Sequence, residues 1–260
     1  MAEWHLWIDD QPRPGWANMA IDQTLLDRAE HQGESWLRLY QWQPHCLSFG
    51  RHEPAMRRYD VDRIREMGLD TVRRPTGGRA VWHCQELTYS VAAPTARLGS
   101  LQAAYLEIHR TLAAALRELG IEVSLASPRG STPVDAGACF ARAAGGEVMV
   151  GQRKIVGSAQ LRRGDALLQH GSILLKDDQS MVVGLMRGPG TDLSSPPPAV
   201  PLAHLLNRGL GTCEVIQAVI QAAVTRWRGA WERISDPDPL LNAAARHFAQ
   251  FQSLAWTWAR

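Results

Sequence analysis

No run of about 20 apolar residues occurs in this 260-residue chain, so no membrane-spanning helix is expected. The first residues, MAEWHLWIDDQPRPG, carry acids and prolines where an export signal would need an apolar core. Cysteine is scarce: four residues, at 46, 84, 139 and 213, with no CxxC spacing. That argues against a metal site or a redox motif and fits reduced thiols in a cytoplasmic protein. Charge imbalance is missing too. The formal net charge is +2, so nothing marks a nucleic-acid stripe, although the arginine excess suits an acidic partner. Repeats and low-complexity tracts are absent. What is present is ordinary for a globular protein: 45% hydrophobic and 21% charged residues, in a chain long enough to bury most of its apolar surface.

Patterning gives the elements. EWHLWID alternates and reads as a strand, and NMAIDQTLLDRAEHQ as a helix with Asn18 as its N-cap. SWLRLYQWQ and HCLSFGRH read as strands joined at Pro44, and DVDRIREMG as a short helix. DTVRRPTGGRAVWHCQELTYSVAAP reads as strand, Gly-Gly turn, strand, turn, strand. LQAAYLEIHRTLAAALRELG is the clearest helix, with an apolar stripe through Leu101, Tyr105, Ile108, Leu112, Leu116 and Leu119. IEVSLA is a short strand, GEVMV and RKIVGSAQLRR pair as a hairpin, and ALLQHGSILL is a further strand. Two helices, around 214–227 and 240–251, close the chain. Strands in hairpins outnumber helices, which predicts an α+β fold with a mixed, largely antiparallel sheet flanked by helices.

Three blocks carry chemistry. RRPTGGRAVWH sets Arg73, Arg74 and Arg79 around Gly77-Gly78, where bare backbone admits a ligand and the guanidinium groups suit a carboxylate, a phosphate or an acidic protein surface. GQRKIVGSAQ puts Lys154 on a strand face shared with Val156 and Ser158, next to small residues that let something pack closely. LLQHGSILL places His170 in an apolar strand, where a histidine is usually a satisfied core residue. Cys46 and Cys213 sit in apolar patterns and read as structural. Cys139 follows a Gly-rich approach and Cys84 follows His83; the residues alone do not separate these two as nucleophiles.

Together and in this order, NMAIDQTLL, RRPTGGRAVWHCQELTYSV, ACF, GQRKIVGSAQLRR and LQHGSILL resemble the biotin/lipoate protein ligase superfamily, in its octanoyltransferase branch. The resemblance spans about 18–175. It implies one catalytic domain over 1–260, with a core near 30–235 and a fold related to class II aminoacyl-tRNA synthetases. It implies Cys139 as the nucleophile, the cysteine of a CF pair with Glu147 following, and Lys154 as the lysine that lowers its pKa. Cys84 stands where the branch usually has Asp. ARAAGGE, after Cys139-Phe140, departs from the usual Pro-Ser-aromatic sequence.

The implied reaction moves an octanoyl group from octanoyl-acyl carrier protein to a lysine of a lipoyl domain, such as the glycine cleavage H protein or a 2-oxoacid dehydrogenase E2. It needs no cofactor, metal, nucleic acid or membrane, and a monomer is expected. A free thiol has a pKa of about 8.5, and lowering it by about 1.5 units takes roughly 2 kcal/mol, within reach of an adjacent ammonium. The expected substrate-binding set is Arg73, Arg74, Gly77, Gly78, Arg79, Ala80, Val81, His83, Gly157, Ser158, Ala159, His170 and Gly171. Ala80, Val81 and Ala159 would wall the acyl tail, and backbone N–H groups near Gly157-Ser158 or Gly77-Gly78 would hold the oxyanion. Three rivals remain: an ATP-dependent lipoate-protein ligase, an amidotransferase between lipoyl domains, and a basic binding module without activity. Against the ligase stand Arg79, where ligases usually have Gly, and the lack of an extra C-terminal domain.

Overall fold

A computed structural model of the chain describes residues 3–127, 145–187, 199–206 and 208–259. In chain order the elements are β1 (Trp4–Ile8), α1 (Gly15–Gln32), β2 (Trp36–Tyr40), β3 (Cys46–Phe49), α2 (Ala55–Arg58), α3 (Val61–Glu66), β4 (Asp70–Arg73), β5 (Val81–His83), β6 (Glu86–Pro94), α4 (Thr95–Leu98) and α5 (Leu101–Glu118). The chain continues through β7 (Ser124–Leu125), β8 (Val148–Val150), β9 (Arg153–Lys154), β10 (Val156–Arg163), β11 (Ala166–Leu174), α6 (Ser180–Gly184), α7 (Thr212–Arg226), β12 (Trp231–Arg233), α8 (Asp238–Gln252) and α9 (Leu254–Thr257).

Six strands form the main sheet, in the order β10-β11-β6-β2-β1-β12. The β10-β11-β6-β2 pairings are antiparallel and the two around β1 are parallel. Alternation sends Leu37, Leu39, Leu87, Tyr89 and Val91 to one face, where Ile108, Leu112 and Leu116 of α5 and Val215 and Val219 of α7 cover them. Trp36, Tyr40 and Ala92 take the other face, under Met19, Leu25 and Leu26 of α1 and Leu240 and Ala244 of α8. The fold is therefore a mixed sheet between helical layers, as the patterning predicts. At the parallel edge Trp4 stacks on Trp227 and Trp231, with ring centroids 4.8 and 5.3 Å away.

Several expectations are corrected. Asn18 is not an N-cap: α1 begins at Gly15, and Asn18 is buried inside it. Its amide nitrogen donates to the carbonyls of Arg13 and Gln41, and its oxygen accepts from Arg38. The strands flanking Gly77-Gly78 form no hairpin, because β3 lies between them in the order β4-β3-β5. RKIVGSAQLRR is not one strand. It breaks at Ile155, so Lys154 belongs to the small β7-β8-β9 sheet and Ser158 to the main sheet. Cys213 is exposed at the start of α7 rather than packed. Among the described residues, no helix is long and apolar enough to cross a membrane.

Candidate functional site

Between α1 and the β10-β11 end of the main sheet lies a narrow cavity, about 20 Å³ in volume and partly open to solvent. Of the expected residues, Arg74, Val81, His83, Gly157, Ser158, Ala159, His170 and Gly171 line it. Consecutive strand residues face opposite ways, so Ser158 and Ala159 together mean that the cavity wraps the edge of the sheet at β10.

The polar side chains around it are turned on one another. Asp22, on α1, accepts from Arg38 (3.1 Å) and Tyr40 (2.9 Å) and lies 2.8 Å from His170 Nδ1, and these partners outweigh burial and hold its carboxyl below the usual range. With Asp22 an acceptor only, His170 donates from Nδ1, and its Nε2 meets Thr76 Oγ1 at 2.6 Å. A second chain runs through His83. Burial lowers its pKa, so the ring is neutral. Arg74 donates to Ser48 Oγ, Ser48 lies 2.6 Å from His83 Nε2, and His83 Nδ1 lies 2.6 Å from Glu86 Oε1. Thr88 and Ser172 donate to that same oxygen at 2.6 and 2.9 Å. Trp42 donates to Thr88 at 2.7 Å and stacks on the His83 ring at 3.8 Å. Most of the polar capacity is thus spent inside the wall, and the surface offered to a ligand is largely carbon.

The Gly-Gly segment is held by close packing. A Cβ at Gly50 would lie 1.9 Å from the Gly78 carbonyl oxygen. Gly78 itself has φ +87° and approaches Ala159. Arg74 spans the turn, donating to the carbonyls of Gly77 and Arg79.

Arg73 was expected to meet an acidic partner. It is instead 1% exposed and donates to the carbonyls of Gly50, Arg51, Glu53, Trp256 and Thr257, which ties the turn to α9. Ala80 packs in the core of the small β3 sheet with Leu47, Phe49 and Trp82, not on the cavity. Gly77, Gly78 and Arg79 border the cavity wall without lining it. Sequence reasoning missed Met19, Tyr40, Trp42, Thr88 and Ser172, which do line it. The available signal was a polar set on adjacent strands, Arg38, Thr88, Ser90 and Ser172, where a plain core would be apolar.

Lys154 is buried and ion-paired to Glu147, which also accepts from Tyr105 at 3.4 Å. It is one of two lysines in the chain, against 26 arginines. An ammonium is a compact charge that a guanidinium does not replace, so this choice among so many arginines is itself a signal. Cys139 lies outside the described residues. The environments of two other cysteines disfavour a thiolate. Burial and Asp70 push the Cys46 thiol well up, and burial, Asp177 and Glu86 raise that of Cys84.

Residues 14–224 match the family described as the lipoyl protein ligase A/B catalytic domain. The chain belongs to this family. It is 36% identical to the octanoyltransferase LipM of Moorella thermoacetica, over 86% of this chain and 82% of that protein. It is 43% identical to the octanoyltransferase LipM of Symbiobacterium thermophilum, over 72% and 70%. The fold of a lipoate-protein ligase A bound with ATP superposes with a TM-score of 0.78 at 21% identity, covering 98% of each chain. A chain of the bipartite lipoate protein ligase system of Thermoplasma acidophilum gives 0.79 at 20%, covering 99% and 97%. Both of these solved chains are matched over nearly their whole length.

Proposed function

We propose that the protein is an octanoyltransferase acting in lipoate biosynthesis, as a single catalytic domain. Cys139 takes the octanoyl group from octanoyl-acyl carrier protein as a thioester and passes it to a lysine of a lipoyl domain. The observation that carries this reading is the likeness to octanoyltransferases LipM over most of both chains. The largely carbon surface of the cavity supports an acyl ligand, since each methylene buried there contributes about 0.8 kcal/mol.

In the first step the Cys139 thiolate attacks the carrier thioester, and the pantetheine thiolate leaves. Thioester exchange is nearly balanced. In the second step a neutral lysine amine attacks the acyl-enzyme, the C–S bond breaks, and the amine's surplus proton neutralises the departing thiolate. Lys154 supplies the cation beside Cys139, a role that its burial and its pairing with Glu147 support by fixing the ammonium. No step uses ATP.

The test is to mix the protein with octanoyl-acyl carrier protein without ATP and take intact and peptide masses. An octanoyl adduct on the Cys139 peptide, lost in Cys139→Ala, is expected. Transfer that survives Cys139→Ala and requires ATP would sink the reading in favour of the ligase. Octanoyl-lipoyl domain offered as donor separates the amidotransferase.

A further inference from the structure

One group of buried polar residues on α5, β6 and β11 takes no part in the reading above. His109 is fully buried on α5. Its Nδ1 lies 2.7 Å from the Gly146 carbonyl oxygen and its Nε2 lies 2.7 Å from Ser158 Oγ. Ser158 Oγ is also 2.7 Å from the Tyr89 hydroxyl, which accepts from Gln169 at 2.8 Å.

The direction of every proton in this chain follows from its end. A carbonyl oxygen only accepts, so His109 Nδ1 carries the hydrogen. Burial, aided by the positive charge of Lys154, brings the imidazole pKa down to about 4, so at neutral pH Nε2 is a bare acceptor. The Ser158 hydrogen must therefore point at His109. The Tyr89 hydrogen must point at Ser158, and Tyr89 oxygen takes the Gln169 donor. Ser158 Oγ is left with one lone pair and no hydrogen to give. It cannot stabilise an oxyanion. It can only accept.

Four hydroxyl-bearing residues, Tyr40, Thr88, Ser158 and Ser172, line the cavity, and Tyr40 points its hydrogen at Asp22. Thr88 and Ser172 are 1% exposed and point their hydrogens at Glu86. Ser158 is partly exposed, on the side of the sheet edge where His109 stands within electrostatic reach of Lys154. An octanoyl chain has no hydrogen to donate to it. The attacking amine does.

We propose that Ser158 Oγ accepts a hydrogen bond from the acceptor lysine's amine during transfer, aiming the nitrogen lone pair at the acyl carbonyl, and that His109 and Tyr89 are positioning residues for Ser158. This rests on the octanoyltransferase reading. No proton moves to Ser158: the amine forms the C–N bond, the C–S bond breaks, and the surplus proton goes to the Cys139 thiolate.

The test separates the two half-reactions. Acyl-enzyme is formed from octanoyl-acyl carrier protein, isolated, and mixed with a lipoyl domain in single turnover. For Ser158→Ala, acylation stays within about twofold of the parent while transfer falls about 10- to 100-fold. His109→Leu behaves likewise, and His109→Gln, whose amide carries one donor and one acceptor, recovers most of the loss. If Ser158→Ala does not fold, Ser158→Cys, with a weakly accepting sulfur, gives the same comparison. Transfer at the parent rate in Ser158→Ala, or parallel loss in both half-reactions, overturns the proposal. A parent protein that forms no acyl-enzyme overturns the octanoyltransferase reading itself, a result distinct from either.

Discussion

Lys154 and Glu147 form an ion pair at the β8–β9 hairpin with almost no solvent contact on either side chain. Breaking a buried pair from one side costs more than removing both halves, because one charge stays in the interior with less compensation. Lys154→Met and Glu147→Gln should each destabilise by about 3 kcal/mol, and the double variant should fall well short of the sum. Urea denaturation of the four proteins measures the coupling. Full additivity would mean that the pair holds nothing together.

Arg73 is expected to be a fastener rather than a docking residue. Its guanidinium reaches five carbonyls in two segments, and the Trp256 indole N–H returns a bond to the Arg73 carbonyl at 3.0 Å. Arg73→Lys keeps the charge and loses the fork, so a loss of about 2 kcal/mol is expected. Limited proteolysis should then cut first near 253–259. An unchanged denaturation midpoint would refute the fastener.

Three glycines near the site should rank by geometry. Gly50→Ala places a Cβ 1.9 Å from backbone, so it should cost several kcal/mol or prevent folding. Gly78→Ala suffers mainly from φ +87°, worth about 1–2 kcal/mol. Gly77→Ala meets nothing within 4 Å and should be tolerated in thermal melts. An inverted order would show that the segment is packed differently.

His109 predicts an acid limb. Its folded pKa, about 4, lies below its ordinary value of 6.5, so the unfolded chain binds the proton more readily. The stability from keeping this ring neutral is complete above pH 6.5 and is lost as pH falls toward 4, by about 3 kcal/mol in all. Burial lowers His83 in the same direction. Unfolding free energy measured between pH 7 and 4 should fall less steeply in His109→Gln than in the parent.

Cys84 should be dispensable. Burial and its acidic neighbours, Asp177 and Glu86, disfavour its thiolate. Cys84→Ser is expected to leave octanoyl transfer within about twofold of the parent. An octanoyl adduct on the Cys84 peptide would contradict this.

The fold was legible because the long elements carry clean periods. The α5 stripe buries Ile108, Leu112 and Leu116 as its 3.6-residue spacing predicts. What failed was pairing at a distance. Gly77-Gly78 looked like a hairpin because nothing local says that β3 inserts between its arms. β12 went unread because three residues, Trp231–Arg233, carry no period at all. At the site, glycines and histidines in short motifs were found and largely converge. Arg73 was misjudged because a buried arginine and a binding arginine look the same in sequence; only its five carbonyl partners separate them. Tyr105 was absorbed into a helix stripe and His109 was not singled out, because their turn toward Glu147 and Ser158 depends on pairings distant in sequence.

The Trp4–Trp227–Trp231 stack joins the first strand to the last strand of the sheet. Indoles this close couple their electronic transitions, so the native molecule carries a built-in optical gauge of edge closure. A near-ultraviolet dichroic band from these rings would vanish if β1 and β12 part, even while the site stays assembled. Every variant above can be read on it without a label.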